Sequence, residues 1–135
     1  MNIMRHVSSF LLLVLVVAMG CAVLNCNSRM LRRATRVAGE EAAYAALQSA
    51  LVKAKVVSAD HMVDAVRLVV DKKDYGGAAA AFALALNEHN SRSSEKLTSA
   101  QAIALIRLAA PAVRSASPRV GAGLVGFCDY VSSKG

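Results

Sequence analysis

Ten consecutive apolar residues, Phe10 to Met19, constrain this chain more than any other feature it carries. The run FLLLVLVVAM follows a short start bearing Arg5, and passes through Gly20, Cys21, Ala22, Val23 and Leu24 before Asn25 breaks it. A stretch with no polar face has nothing to present to water, so it does not belong on the surface of a water-facing domain. A positive start, an apolar core and a small-residue exit together describe an export signal. Taken more widely, Val7 to Cys26 is twenty residues, close to the length a helix needs to cross a bilayer.

The exit from the run separates these alternatives in part. Ala18-Met19-Gly20-Cys21 resembles the bacterial lipobox, which implies that Cys21 is lipidated and becomes the first mature residue. The lipobox usually has leucine three positions before the cysteine, where this chain has Ala18. Ala18 and Gly20 are also small at alternating positions, which suits ordinary signal peptidase. Charge pulls the other way. Arg29, Arg32, Arg33 and Arg36 outweigh Arg5, and an uncleaved helix leaves its more basic flank in the cytoplasm. The expectation is a lipoprotein-like signal over 1–20, with a retained anchor to residue 26 as its competitor. It places the protein in the bacterial cell envelope, held to membrane lipid by acyl chains and facing the periplasm. The alternative is an inner-membrane protein with a cytoplasmic domain.

The formal charge of +7 is concentrated beside this segment. From Val37 onward, eleven Lys and Arg face all nine Asp and Glu, so the remainder is nearly neutral. A nucleic-acid binder needs a basic face spread over the folded module, often with stacking aromatics. This pattern argues against one. Residues 21–36 are expected to be a basic membrane-proximal tether, or from Asn27 the first turns of a helix. Cations there gain about 1 kcal/mol each beside anionic headgroups.

There are three cysteines, Cys21, Cys26 and Cys128. If Cys21 carries lipid, a Cys26–Cys128 disulfide becomes available in an oxidising compartment. Closing a loop of about one hundred residues would contribute on the order of 4–5 kcal/mol. The plainer alternative is two unrelated thiols.

Residues 37–135 are alanine-rich, with no Trp, and predict an all-α fold: a small bundle of four or five short helices behind the signal or anchor segment. Val37, Tyr44, Leu47, Leu51 and Ala54 give one stripe over 37–57, with the Tyr44 hydroxyl expected at the rim. Met62, Val66, Val69 and Val70 give a second helix running from a Ser58 or Asp60 cap to about Lys73. Asp71 to Gly77 is predicted to turn, Ala78 to Glu88 to form a helix and Asn87 to Lys96 a loop. Thr98 and Gln101 have capping-box spacing. The helix they open carries Ile103, Ile106 and Ala110, broadened by Leu105 and Leu108, and Pro111 is expected to end or kink it. Ser117-Pro118 repeats the start signal for a last helix with Val120, Leu124 and Phe127 inside. Its Gly121, Gly123 and Gly126 make it either marginal or tightly packed.

Reactive constellations are not evident in the sequence. His61 and His89 lie outside any metal-ligand spacing and are expected at a cap or in solvent. No serine occupies a Gly-x-Ser-x-Gly elbow. Cys128 has no evident histidine partner, and Glu88 and Glu95 are paired only by proximity in sequence. The expected function is non-enzymatic: an exported structural or protein-binding module, meeting a protein partner or a second copy of itself. It uses no cofactor or metal, and no small-molecule substrate is evident. The alternatives are a single-pass membrane protein of phage or bacterial type acting in lysis or exclusion, and a small periplasmic enzyme inhibitor.

Overall fold

A computed structural model describes residues 28–134 as five α-helices. They are α1 (Ser28–Lys53), α2 (Ala59–Lys72), α3 (Tyr75–Arg92), α4 (Ser99–Ala116) and α5 (Pro118–Lys134). The signal or anchor segment and the cysteines at 21 and 26 lie outside the described residues. The chain divides into two units, Met1–Val37 and Ala38–Gly135, with α1 running across the division. In the first unit, Ser28 to Val37 is helical, so this part of the basic stretch is the start of a helix. Among the described residues no helix is long and apolar enough to cross a membrane.

The second unit is an all-helical bundle whose core draws on every one of its helices. Ala43, Tyr44, Leu47 and Leu51 come from α1, and Met62, Val66 and Val69 from α2. Phe82 and Ala85 of α3, Ile106 and Val113 of α4, and Leu124 and Phe127 of α5 complete it. Phe82 meets Phe127 edge-on, with ring centroids 5.6 Å apart and planes at 77°, an arrangement the ring quadrupoles favour. The expected apolar stripe is shorter than the periodicity suggested, since Val37 is exposed and Ala54 is an exposed turn residue just beyond the end of α1. Leu108 of α4 is likewise 78% exposed.

Local chemistry sets the ends of the helices. At the end of α1, Lys55 adopts a left-handed φ of 65°. The N–H of Val56 then reaches the Leu51 carbonyl at 3.0 Å, and both of those side chains are buried. This is the αL stop usually made by glycine. α2 ends similarly, with Lys73 at φ 52°. Asp74 caps α3 by accepting the Gly77 N–H at 2.9 Å, so Gly76 and Gly77 lie inside the helix and not in the turn. α3 continues to Arg92, four residues further than expected, because its last turn packs inward through His89. The capping box at α4 is present in full: Thr98 Oγ1 accepts from Gln101 N at 3.1 Å, and Gln101 Oε1 accepts from Thr98 N at 2.9 Å.

Pro111 does not end α4, which runs on to Ala116. The ring removes one intrahelical donor, a penalty of about 3 kcal/mol in a helix interior. Pro111 and Arg107, whose carbonyl loses that donor, are both exposed residues, where water is at hand. α5 is tightly packed, not marginal. A Cβ at Gly121 would sit 2.8 Å from the Arg114 Cα, and one at Gly123 2.5 Å from Val70 Cγ2.

Candidate functional site

α2 and α3 are joined by polar contacts at the end of the bundle where α2 begins. Ser58, just before α2, donates from Oγ to the Ala85 carbonyl of α3 at 2.5 Å, a buried bond between the two helices. It stands at the N-cap position but makes no side-chain cap bond. His89 is buried, contrary to the expectation of a loop histidine in solvent. Its Nδ1 accepts the Val57 N–H at 3.0 Å, and its Nε2 lies 2.8 Å from the Glu95 carbonyl. An acceptor at Nδ1 and a donor at Nε2 assign the neutral Nε2–H tautomer. The ring thereby ties the α1–α2 connection to the α3–α4 connection.

Beside this buried contact lies an exposed groove of about 360 Å³, lined by His61, Asp64, Ala81, Leu84, Ala85 and Glu88. The residues at 81, 84, 85 and 88 recur at helical spacing and present one face of α3. Leu84 is 71% exposed there. At the polar edge, His61 Nδ1 lies 2.5 Å from Glu88 Oε2, and Arg92 Nη1 donates to Glu88 Oε1 at 3.0 Å. The Glu88 carboxylate, followed by Asp60, holds the His61 pKa above its ordinary value by favouring the imidazolium. An imidazole oriented by a carboxylate can take up and release protons. The lining otherwise offers aliphatic groups and the Asp64 carboxylate, and neither a hydroxyl nor a thiol for that base to activate.

A second polar cluster lies where α1, α2 and α5 meet. Arg67 makes a two-pronged contact to Glu41 at 3.1 and 3.2 Å, with its guanidinium 3.9 Å from the Tyr44 ring centroid. Arg119 donates to Glu40 at 2.7 Å and to the Val70 carbonyl at 3.1 Å. The Arg67 contact depresses the Glu41 pKa. Tyr44 corrects another expectation: its hydroxyl is buried without a hydrogen-bond partner, not at the rim. Burial, reinforced by the charge of Asp71, raises its pKa to about 12.

Of the site residues expected from sequence, Arg32, Arg33 and Arg36 are exposed on α1, and Arg29 lies in the same helix. Cys128 is a buried free thiol on α5, pushed up to about 11 by burial. The lipidation at Cys21 and the Cys26 end of the disulfide fall outside the described residues. Glu88 and Glu95 are not paired: Glu88 joins His61 and Arg92, and Glu95 contributes its carbonyl to His89. No group of three or more His, Cys, Asp or Glu suited to a metal ion is found among the described residues. The His61–Glu88 and His89–Val57 contacts, formed across 27 and 32 residues, had no local sequence signal. Compared with protein-family models, curated proteins and solved structures, the chain gives no match.

Proposed function

We propose that this chain is a membrane-anchored, non-enzymatic helical module of the cell envelope that holds a protein partner. The observation that carries this is the use made of the polar side chains. His89, Ser58, Arg67 and Arg119 all bridge segments of the bundle, and Cys128 is packed inside it. Groups with chemical potential are thus engaged in holding the bundle together. The leader and its Gly20-Cys21 exit support the anchored part, with Cys21 as the lipidated residue.

The surface best suited to the partner is the groove between α2 and α3. Exposed Leu84 offers an apolar contact, and the Asp64 carboxylate beside it supplies a negative charge, whereas Glu88 is engaged by His61 and Arg92. The complementary occupant is an amphipathic segment of a partner protein with an apolar anchor beside a basic side chain.

Two measurements test the proposal. Intact mass of the protein in the membrane fraction is expected to show loss of residues 1–20 and added acyl mass. Loss without added mass would mean secretion, and full length a retained anchor. A photo-crosslinking residue at position 84 is expected to give one discrete adduct that Asp64→Lys abolishes. The same group at Leu108, equally exposed on α4, should give none. Equal adducts at both positions would remove the groove as the docking surface.

A further inference from the structure

We infer that the segment of α1 from Met30 to Val37 is an amphipathic surface helix that binds anionic phospholipid headgroups, lying in the plane of the membrane. The inference rests on the membrane-anchored proposal above and names the lipid chemistry its basic segment meets.

Helix geometry sorts this segment by kind. At about 100° per residue, Arg32, Arg33 and Arg36 fall within an arc of roughly 100°. Met30, Leu31, Ala34 and Val37 fall within an arc of roughly 120° on the other side of the helix. In an extended tether these side chains would not separate; it is the helix from Ser28 that segregates them. All of these residues are exposed, Met30 at 70% and Val37 at 51%, so this stretch of α1 presents its apolar side to solvent. Thr35 lies beside the apolar arc and turns its hydroxyl back onto the Leu31 carbonyl at 2.7 Å. Its polar group is thereby satisfied without water.

Charge complementarity identifies the occupant. There is no acidic residue before Glu40, so three arginines act together on one short stretch. An anionic bilayer surface supplies phosphates for the guanidiniums and an acyl boundary for Met30, Leu31 and Val37. Long arginine stems let the charged heads reach back to the headgroup level while the apolar arc is immersed. A nucleic acid would meet only the charged half. Position along the chain agrees, since the segment begins six residues after the end of the apolar run at Leu24.

The test uses the full chain, as the cell processes it, in nanodiscs of phosphatidylcholine alone or mixed with phosphatidylglycerol. Amide hydrogen exchange is read over residues 30–37. Exchange should be at least about ten-fold slower in the anionic discs, given roughly five-fold per charge near such a surface. The triple change Arg32→Gln, Arg33→Gln and Arg36→Gln should abolish that difference while the protein still floats with both discs. Exchange that is equal in the two compositions, with the chain still floating, overturns this inference and leaves the anchoring proposal standing. A chain that floats with neither composition overturns both. Slowing that follows protein concentration instead of lipid charge would make a second copy the occupant, and would also overturn it.

Discussion

Tyr44 and His89 show opposite treatments of a buried polar side chain. The His89 ring has a backbone partner at each nitrogen, whereas the Tyr44 hydroxyl has none. An unpaired buried hydroxyl costs about 1–3 kcal/mol, and the aromatic ring accounts for the packing and for the face beneath Arg67. Tyr44→Phe is therefore expected to stabilise the protein by about 1 kcal/mol, read as a higher midpoint in urea unfolding. A lower midpoint would show that the hydroxyl has a partner, such as a trapped water. His89→Ala has the reverse sign, because it strands the Val57 N–H and the Glu95 carbonyl. The expected loss is about 2–4 kcal/mol by the same measurement. An unchanged midpoint would mean that water replaces both bonds.

At the scale of the helices, close approach and charge pairing make separable contributions. Gly121 of α5 faces the backbone of Arg114, and an added methyl must push α4 and α5 apart. Gly121→Ala should cost about 1–3 kcal/mol despite the better helix propensity of alanine. Gly76 lies inside the first turn of α3, where a Cβ would meet nothing within 4 Å. Gly76→Ala should therefore gain up to about 1 kcal/mol. Thermal unfolding of the two variants should move in opposite directions, and a shared direction would contradict this packing. The His61–Glu88 pair between α2 and α3 depends on pH. A histidine whose folded pKa is raised contributes stability that is full below its unfolded value and lost as pH rises through the folded value. The stability difference between wild type and His61→Gln should thus be larger at mildly acidic pH than at alkaline pH. A difference independent of pH would show that the pair does not hold the imidazolium.

Legibility in the sequence followed the distance over which each signal acts. The capping box at Thr98, the Ser117-Pro118 start and the buried faces of α2 and α5 are local, and all were readable. The last turn of α3 is not, because Asn87 to Arg92 has loop composition and is held helical by His89, whose partners lie in other segments. Pro111 reads as a break in isolation, yet Val113 beyond it is buried and α4 continues. The groove needed Ala81, Leu84 and Glu88 to be brought beside His61, a relation that only tertiary packing creates.

At the scale of the whole molecule, burial among the described residues begins only beyond the division between the two units. Every buried apolar side chain among the described residues lies at Ala43 or beyond, while residues 30–38 are all exposed. The helix that crosses the division also changes character there. Arginines precede it, and Glu40 and Glu41 follow at once, bound to Arg119 and Arg67 respectively. Were the chain to start at Ala38, those two carboxylates would occupy the first turn of α1, where negative charge favours the helix N-terminus. The core, the His89 contacts and the capping box would all be retained. A chain of residues 38–135 is therefore expected to unfold in a single cooperative transition, within about 1 kcal/mol of the longer protein. Its loss should appear instead on membranes: without Cys21 and the basic segment before Ala38 it should float with neither neutral nor anionic vesicles. Urea unfolding followed by circular dichroism checks the first part, and flotation with vesicles the second. A shortened chain that melts gradually would show that residues before Ala38 contribute to the stability of the bundle.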